Sequence, residues 1–251
     1  MVLPTVVDNN VRKSPKRIFI FAHPKVGKTS LASQLPNALL IDMENGSDFI
    51  AAMKINVLQL AIQEGKSSLA VLKEISNALA ERKQIYDYIV LDTTTGMQDM
   101  AEDLALVLYK RSPMGKNYTG KSVLELPNGA GYYWLRAAFE EIYSWFDPYP
   151  NKALVLLGHV KNASINKEGK ELGARDIDLT GKLKQILTSS SDATGFLYRE
   201  KESSTNILSF KTSETDLATG ARPEHLRGQE FVISELKDGK LVSYWDKIFI
   251  D

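Results

Sequence analysis

The stretch "FAHPKVGKTS", Phe21 to Ser30, constrains this chain more than any other ten residues. Set against the phosphate-loop pattern GxxxxGK(S/T), it matches at Gly27, Lys28 and Thr29 and departs at the first position, where Ala22 stands. Such a loop works because successive backbone N–H groups surround a phosphate, a lysine reaches the terminal phosphates and a hydroxyl holds magnesium. Pro24, Lys25, Val26, Gly27, Lys28, Thr29 and Ser30 are therefore read as nucleotide-binding. The first glycine eases the turn out of a strand, and alanine serves there if the local dihedral angles suit a residue with a Cβ. The apolar run "RIFIFAH" precedes the loop, and "TSLASQL" follows with helical character before Pro36, so strand, loop and helix stand in order.

The rest of the chain agrees with that start. Short apolar runs at 17–23, 38–42, 88–92 and 153–159 alternate with helical stretches, which predicts an α/β fold with a mostly parallel sheet flanked by helices. The runs are apolar throughout, as strands buried on both faces should be. Leu69, Leu72, Ile75 and Leu79 fall on one helical stripe, as do Leu135, Ala138, Phe139, Ile142 and Phe146. The last third changes to "ATGFLYRE", "TNILSF" and a C-terminal β-hairpin, "FVISEL" and "LVSYW", joined through Asp238 and Gly239. The expected organisation is one domain: an N-terminal arm over 1–16, a core over 17–228 and the hairpin over 229–251.

Composition excludes more than it selects. Lysine plus arginine equals aspartate plus glutamate, 31 each, so net charge draws the chain to neither nucleic acid nor membrane. The absence of cysteine removes disulfides, thiolate metal sites and cysteine nucleophiles, and three scattered histidines, His23, His159 and His225, argue against zinc. The N-terminus resembles neither a signal peptide nor a membrane span, which makes the cytoplasm the default address.

Three carboxylate or imidazole positions extend the phosphate-loop reading. Asp92 ends the strand "YDYIVLD", expected beside the phosphate-loop strand, where a carboxylate holds magnesium through its water shell; alone it would read as a helix cap. Glu44 follows the strand "ALLID" and should reach the same carboxyl edge, placed to orient or deprotonate a water; Asp42 is its competitor, with a structural or metal-shell role. His159 ends "ALVLLGH", where it could sense a terminal phosphate or merely bond neighbouring backbone.

"AHPKVGKTSLASQLPNALLIDMENG", "YDYIVLDTTTGM", "ALVLLGHVK" and "TGARPEHLRG" together resemble RecA-like P-loop ATPases, particularly the small phage-type ones associated with single-strand annealing and recombination. The resemblance spans roughly residues 17–228 and implies a RecA-like core using ATP and Mg2+. By position it would make Lys28 and Thr29 phosphate and magnesium contacts, Asp92 the second magnesium-side carboxylate, Glu44 the water activator and His159 the sensor. Thr93 stands where many hexameric ATPases carry that activating glutamate. The resemblance also implies a homo-oligomer, ring or filament, in which a neighbour's basic residue completes the site; Lys211, Arg222 and Arg227 are the candidates for that trans finger.

A single-stranded DNA contact is expected at "KRSPMGKNYTGKSVL". Lys110, Arg111, Lys116 and Lys121 could neutralise phosphates, Tyr118 could stack on a base, and glycines would keep the loop flexible. A second loop after His159, carrying Lys161, Lys167, Lys170 and Arg175, is diluted by Glu168, Glu171 and Asp176. The function so read is ATP-driven action on single-stranded DNA. Its rivals are a nucleotide kinase with a basic lid over 161–184 and a low-turnover ATP-dependent adaptor.

Overall fold

A computed structural model gives the structure of the protein. It describes residue 5 and residues 11–82, 85–167, 170–200, 204–213 and 218–250, without the side chains of 163–173. Residues 1–4 and 6–10 of the expected arm lie outside the described residues.

The strands are β1 (Arg17–Ala22), β2 (Ala38–Asp42), β3 (Lys54–Asn56), β4 (Tyr88–Asp92), β5 (Ala153–Lys167), β6 (Lys170–Ile177), β7 (Ala193–Arg199), β8 (Asn206–Ser209), β9 (Gly220–Ala221), β10 (Glu230–Lys237) and β11 (Lys240–Ser243). The helices are α1 (Lys28–Ala32), α2 (Val57–Glu64), α3 (Ser68–Glu81), α4 (Thr94–Arg111), α5 (Gly131–Ser144) and α6 (Leu183–Ser190). Along the sheet the order is β11-β10-β8-β7-β1-β5-β4-β2-β3. From β7 to β3 all neighbours are parallel, and from β7 outward to β11 they are antiparallel. The α/β class expected, a mostly parallel sheet flanked by helices and finished by a C-terminal hairpin, is the class observed. The hairpin turns at Asp238 (φ 51) and Gly239 (φ 74), the paired left-handed angles that an Asp-Gly turn supplies.

Alternation along the strands builds two cores. Phe19, Phe21, Ile41, Leu91 and Leu156 face a layer made by α3, α4 and α5. Ile18, Ile20, Leu40, Val90 and Val155 face the other way, onto Leu31 of α1 and the C-terminal Trp245 and Ile248. The tail is pinned there: Trp245 Nε1 donates to Leu31 O (2.9 Å), Gln34 Nε2 donates to Leu241 O (2.6 Å), and the Phe249 ring lies 4.9 Å from that of Tyr88.

The structure corrects three expectations. β4 is not beside β1, because β5 inserts between them and pairs with both. The segment after His159 is not a loop: β5 runs on to Lys167 and pairs antiparallel with β6, forming a two-stranded ribbon. The stretch 112–121 is a packed turn rather than a flexible loop. A Cβ on Gly115 would meet the backbone oxygen of Tyr109 at 2.0 Å, so that glycine is demanded by close packing.

Candidate functional site

The carboxyl ends of the parallel strands share one edge, and register places their last residues level: Ala22 opposite His159, and Asp42 opposite Asp92. Lys28, Thr29, Glu44, Asp92, Thr93 and His159 converge there on a cavity of about 360 Å³. Open α/β sheets bind ligands at this edge.

The loop over it explains how alanine replaces the first glycine. Ala22 is the last residue of β1, fully buried and on ordinary strand backbone. The left-handed angles fall instead on Lys25 (φ 65) and Gly27 (φ 105), and at Gly27 that angle favours a residue with no Cβ. Helix α1 begins directly after it.

Lys28 is 7% exposed. Its Nζ donates to Ala22 O (3.3 Å) and His23 O (3.5 Å) and stands 3.3 Å from His159 Nδ1. Burial lowers the ammonium's pKa, against the opposing charges of Asp92 and Glu44. Since an ammonium only donates, His159 Nδ1 accepts, which leaves the ring proton on Nε2. That nitrogen donates to Glu44 Oε2 over 3.0 Å.

Asp92 is almost fully buried and accepts from the Thr29 hydroxyl at 2.6 Å. Burial pushes its carboxyl up to about 6, with the Thr29 bond opposing, the Asp42 charge adding and Lys28 opposing. Two hard oxygen donors facing a phosphate-sized cavity suit magnesium, which keeps most of its shell for water and phosphate oxygens. Among the described residues there is no group of three or more His, Cys, Asp or Glu side chains that could hold a metal ion.

Glu44 and Asp42 part company. Asp42, with no exposed surface, accepts from the backbone N–H groups of Glu44 (3.0 Å), Gly46 (3.3 Å) and Ser47 (2.9 Å) and from the Ser47 hydroxyl (2.5 Å). It shapes the loop that carries Glu44. The Glu44 carboxylate faces the cavity, held by His159 and by the Thr93 hydroxyl. Burial raises its pKa, but those hydrogen bonds and the charge of Lys28 outweigh burial and leave it below the usual carboxylate value. Gly96 of α4 packs behind: a Cβ there would lie 2.9 Å from Met43 Cβ and 3.3 Å from Glu44 Cγ.

The other expected residues lie elsewhere. Lys211 pairs with Glu230; Arg222 bonds Asp192 Oδ1 (3.2 Å) and Ser189 O (2.6 Å); Arg227 bonds Arg222 O (2.9 Å). All three sit near the amino ends of the parallel strands, about one strand length, ~20 Å, from their own phosphate loop. Lys110 and Arg111 close α4 and, like Lys116 and Lys121, are exposed. Tyr118 is half-buried, its ring packed edge-on against Tyr109 at 5.2 Å and its hydroxyl donating to Ser122 O at 2.8 Å. In the ribbon, Lys161 reaches Leu179 O and Arg175 lies over the Phe196 ring, while the side chains of Lys167, Lys170, Glu168 and Glu171 are outside the described residues.

Sequence reasoning missed Thr93 and Arg199. Arg199 ends β7 and donates from Nη2 to Val26 O of the phosphate loop (3.1 Å). Its only signal was a cation at a strand end, which is informative once β7 is known to pair with β1. Among the described residues no helix is long and apolar enough to cross a membrane.

Comparison with known proteins bears on the same region. Residues 14–224 match the model of a family described as AAA domain (AAA_24). No curated protein matches the chain. Among solved structures, the crystal structure of the RadB recombinase is 12% identical, with 91% of this chain and 90% of that one covered and a TM-score of 0.44. That of the flagellar accessory protein FlaH from Methanocaldococcus jannaschii is 14% identical, covering 82% and 81%, with a TM-score of 0.37.

Proposed function

The chain belongs to this AAA-domain family, and from that premise we propose that it binds ATP with magnesium, hydrolyses it, and acts on single-stranded DNA as an assembly of its own copies. The observation that carries the proposal is the convergence of Lys28, Thr29, Asp92, Glu44 and His159 on one cavity beneath a phosphate loop.

In this reading the backbone N–H groups of 25–29 surround the β-phosphate. Lys28, held by two carbonyls and His159, exchanges those partners for phosphate oxygens. Thr29 and Asp92 are the residues that would hold Mg2+, which when bound would neutralise charge on the transferring phosphoryl group. Glu44 orients the attacking water. Its hydrogen bonds to His159 and Thr93 fix the carboxylate in place for aligning that water. The water oxygen bonds to the γ-phosphorus as the bond to the bridging oxygen breaks; ADP leaves with that oxygen and its electron pair, and both protons of the water end on the released phosphate.

His159 links this chemistry to the rest of the chain. It contacts both Lys28 and Glu44, and β5 continues from it without interruption into the ribbon with β6. A phosphate that draws Lys28 away changes what His159 bonds, and the ribbon is the element through which that change would reach DNA. On the DNA side, Lys110, Arg111, Lys116 and Lys121 supply cations. Tyr133, 61% exposed at the end of an aromatic chain through Trp134 and Tyr109, is the ring available for a base. Since Lys211, Arg222 and Arg227 are a strand length from their own loop, a finger from this set would come from a neighbouring copy.

The test is phosphate release from ATP and magnesium with and without single-stranded DNA. Stimulation by DNA is expected. Turnover indifferent to DNA would remove the nucleic-acid part, and transfer of phosphate to a nucleoside monophosphate would replace the whole proposal with a kinase.

A further inference from the structure

A second cavity, of about 290 Å³, adjoins the first, with Gly27 and Ser30 in the walls of both. Its other boundaries come from parts of the chain that the phosphate-loop chemistry does not use. Leu236 and Leu241, directly paired across the terminal hairpin, form an apolar wall. Arg199 and Asn206, from β7 and β8, form a polar one.

Both walls are held in place. The hairpin is tied to the region of α1 through Gln34 Nε2 to Leu241 O and through Trp245 Nε1 to Leu31 O, so its distance from the phosphate loop is set by hydrogen bonds to the helix that follows that loop. Arg199 donates from Nη2 to Val26 O and from Nε to Asn206 Oδ1 (3.4 Å), and Asn206 Nδ2 in turn donates to Ser234 Oγ (3.0 Å) on β10. The guanidinium fork is thereby fixed at the cavity with N–H groups to spare. Leu236 is 53% exposed, which leaves its surface available to a ligand.

A triphosphate seated on the loop must lead its sugar and base away from the terminal phosphates, and the cavity that shares Gly27 and Ser30 with the loop is adjacent space of suitable kind. Apolar side chains offer contact to the flat face of a base, and a fixed arginine offers donors to a ring nitrogen. Adenine and guanine carry an acceptor at N7, which pyrimidines lack, and a purine covers more of the leucine wall.

We infer that this second cavity is the purine-base subsite of the nucleotide site, with the C-terminal hairpin as its apolar wall and Arg199 as its polar reader. The inference rests on the nucleotide reading above and adds what selects the nucleotide. The hairpin, beyond the residues that match the family, becomes part of ligand recognition rather than an appendage.

The experiment is calorimetric titration of the full chain, with magnesium, by ATP, CTP and inorganic tripolyphosphate, repeated on Leu236→Ser and Arg199→Gln. Leu236 is exposed enough that its variant should fold, which thermal melting checks. The expected result is ATP binding at least about tenfold tighter than CTP in the native chain. In Leu236→Ser ATP affinity falls about tenfold while tripolyphosphate affinity stays within about twofold, and in Arg199→Gln, which also loses the bond to Val26 O, the ratio of ATP to CTP affinity falls about tenfold. Equal affinity for ATP and CTP in the native chain, a Leu236→Ser chain that weakens ATP and tripolyphosphate alike or weakens neither, or an Arg199→Gln chain that keeps the native ratio of ATP to CTP affinity, would overturn the subsite while leaving the phosphate loop intact. Failure of the native chain to bind tripolyphosphate at all would overturn the loop reading and the subsite with it.

Discussion

Glu44 Oε2 accepts from His159 Nε2 over 3.0 Å, and the same imidazole receives Lys28 on its other nitrogen. The water-orienting carboxylate and the phosphate-binding ammonium are thus two bonds apart through one ring. Glu44→Gln keeps the shape and loses the charge, so ATP binding should persist while turnover falls by about 10²- to 10⁴-fold. Binding by calorimetry beside phosphate release checks this. Undiminished hydrolysis would remove Glu44 from the mechanism.

Lys28→Ala removes an ammonium whose burial already lowers its pKa. Affinity for ATP with magnesium should drop about a hundredfold or more, because the phosphate charge loses its nearest counter-ion. Retained affinity would argue against the phosphate loop.

Gly96→Ala is a test of Glu44's support. In an open helix the change would stabilise by about 1 kcal/mol. Here the new Cβ meets Met43 and Glu44 Cγ, so it should destabilise by about 1–3 kcal/mol and lower kcat more than it raises KM. A variant that is stabilised and fully active would show that the Glu44 loop tolerates displacement.

The Asp92 carboxyl, pushed up to about 6 by burial, makes stability depend on pH. A folded-state pKa raised above the unfolded value of 3.8 contributes stability that is present below that value and lost as pH rises through 6. Asp92→Asn has no such proton to lose. Without nucleotide it should melt with the native chain near pH 4 and be more stable above pH 6, by at most about 3 kcal/mol. An equal difference in Tm at both ends of that range would contradict a charge-burial origin.

For DNA, Lys116→Ala with Lys121→Ala and Tyr133→Ala should lower single-strand affinity at low salt by about ten- to a hundredfold, with a shallower salt slope. Tyr118→Ala should instead cost stability, because its ring packs on Tyr109. Fluorescence anisotropy with a labelled oligonucleotide separates the two. Unchanged affinity in the triple variant would remove this face from DNA binding.

Local order along the chain determined a great deal by itself. Apolar runs without alternation marked the strands buried on both faces, Asp238-Gly239 marked the final turn, and the spacing of Gly27, Lys28 and Thr29 after a strand marked the phosphate loop. These are short-range properties, set by backbone sterics and by the period with which side chains face a core. Which strand lies beside which is set by long-range pairing, which no local period encodes. Only the tertiary structure placed β5 between β1 and β4 and so brought His159 against both Lys28 and Glu44. The same pairing turned Asp42 toward its own loop, closed Tyr118 against Tyr109, carried Lys211, Arg222 and Arg227 to the far edge of the sheet, and set Arg199 against the phosphate loop. Residue types at the site could be read from the chain; their partners required the sheet to close around them.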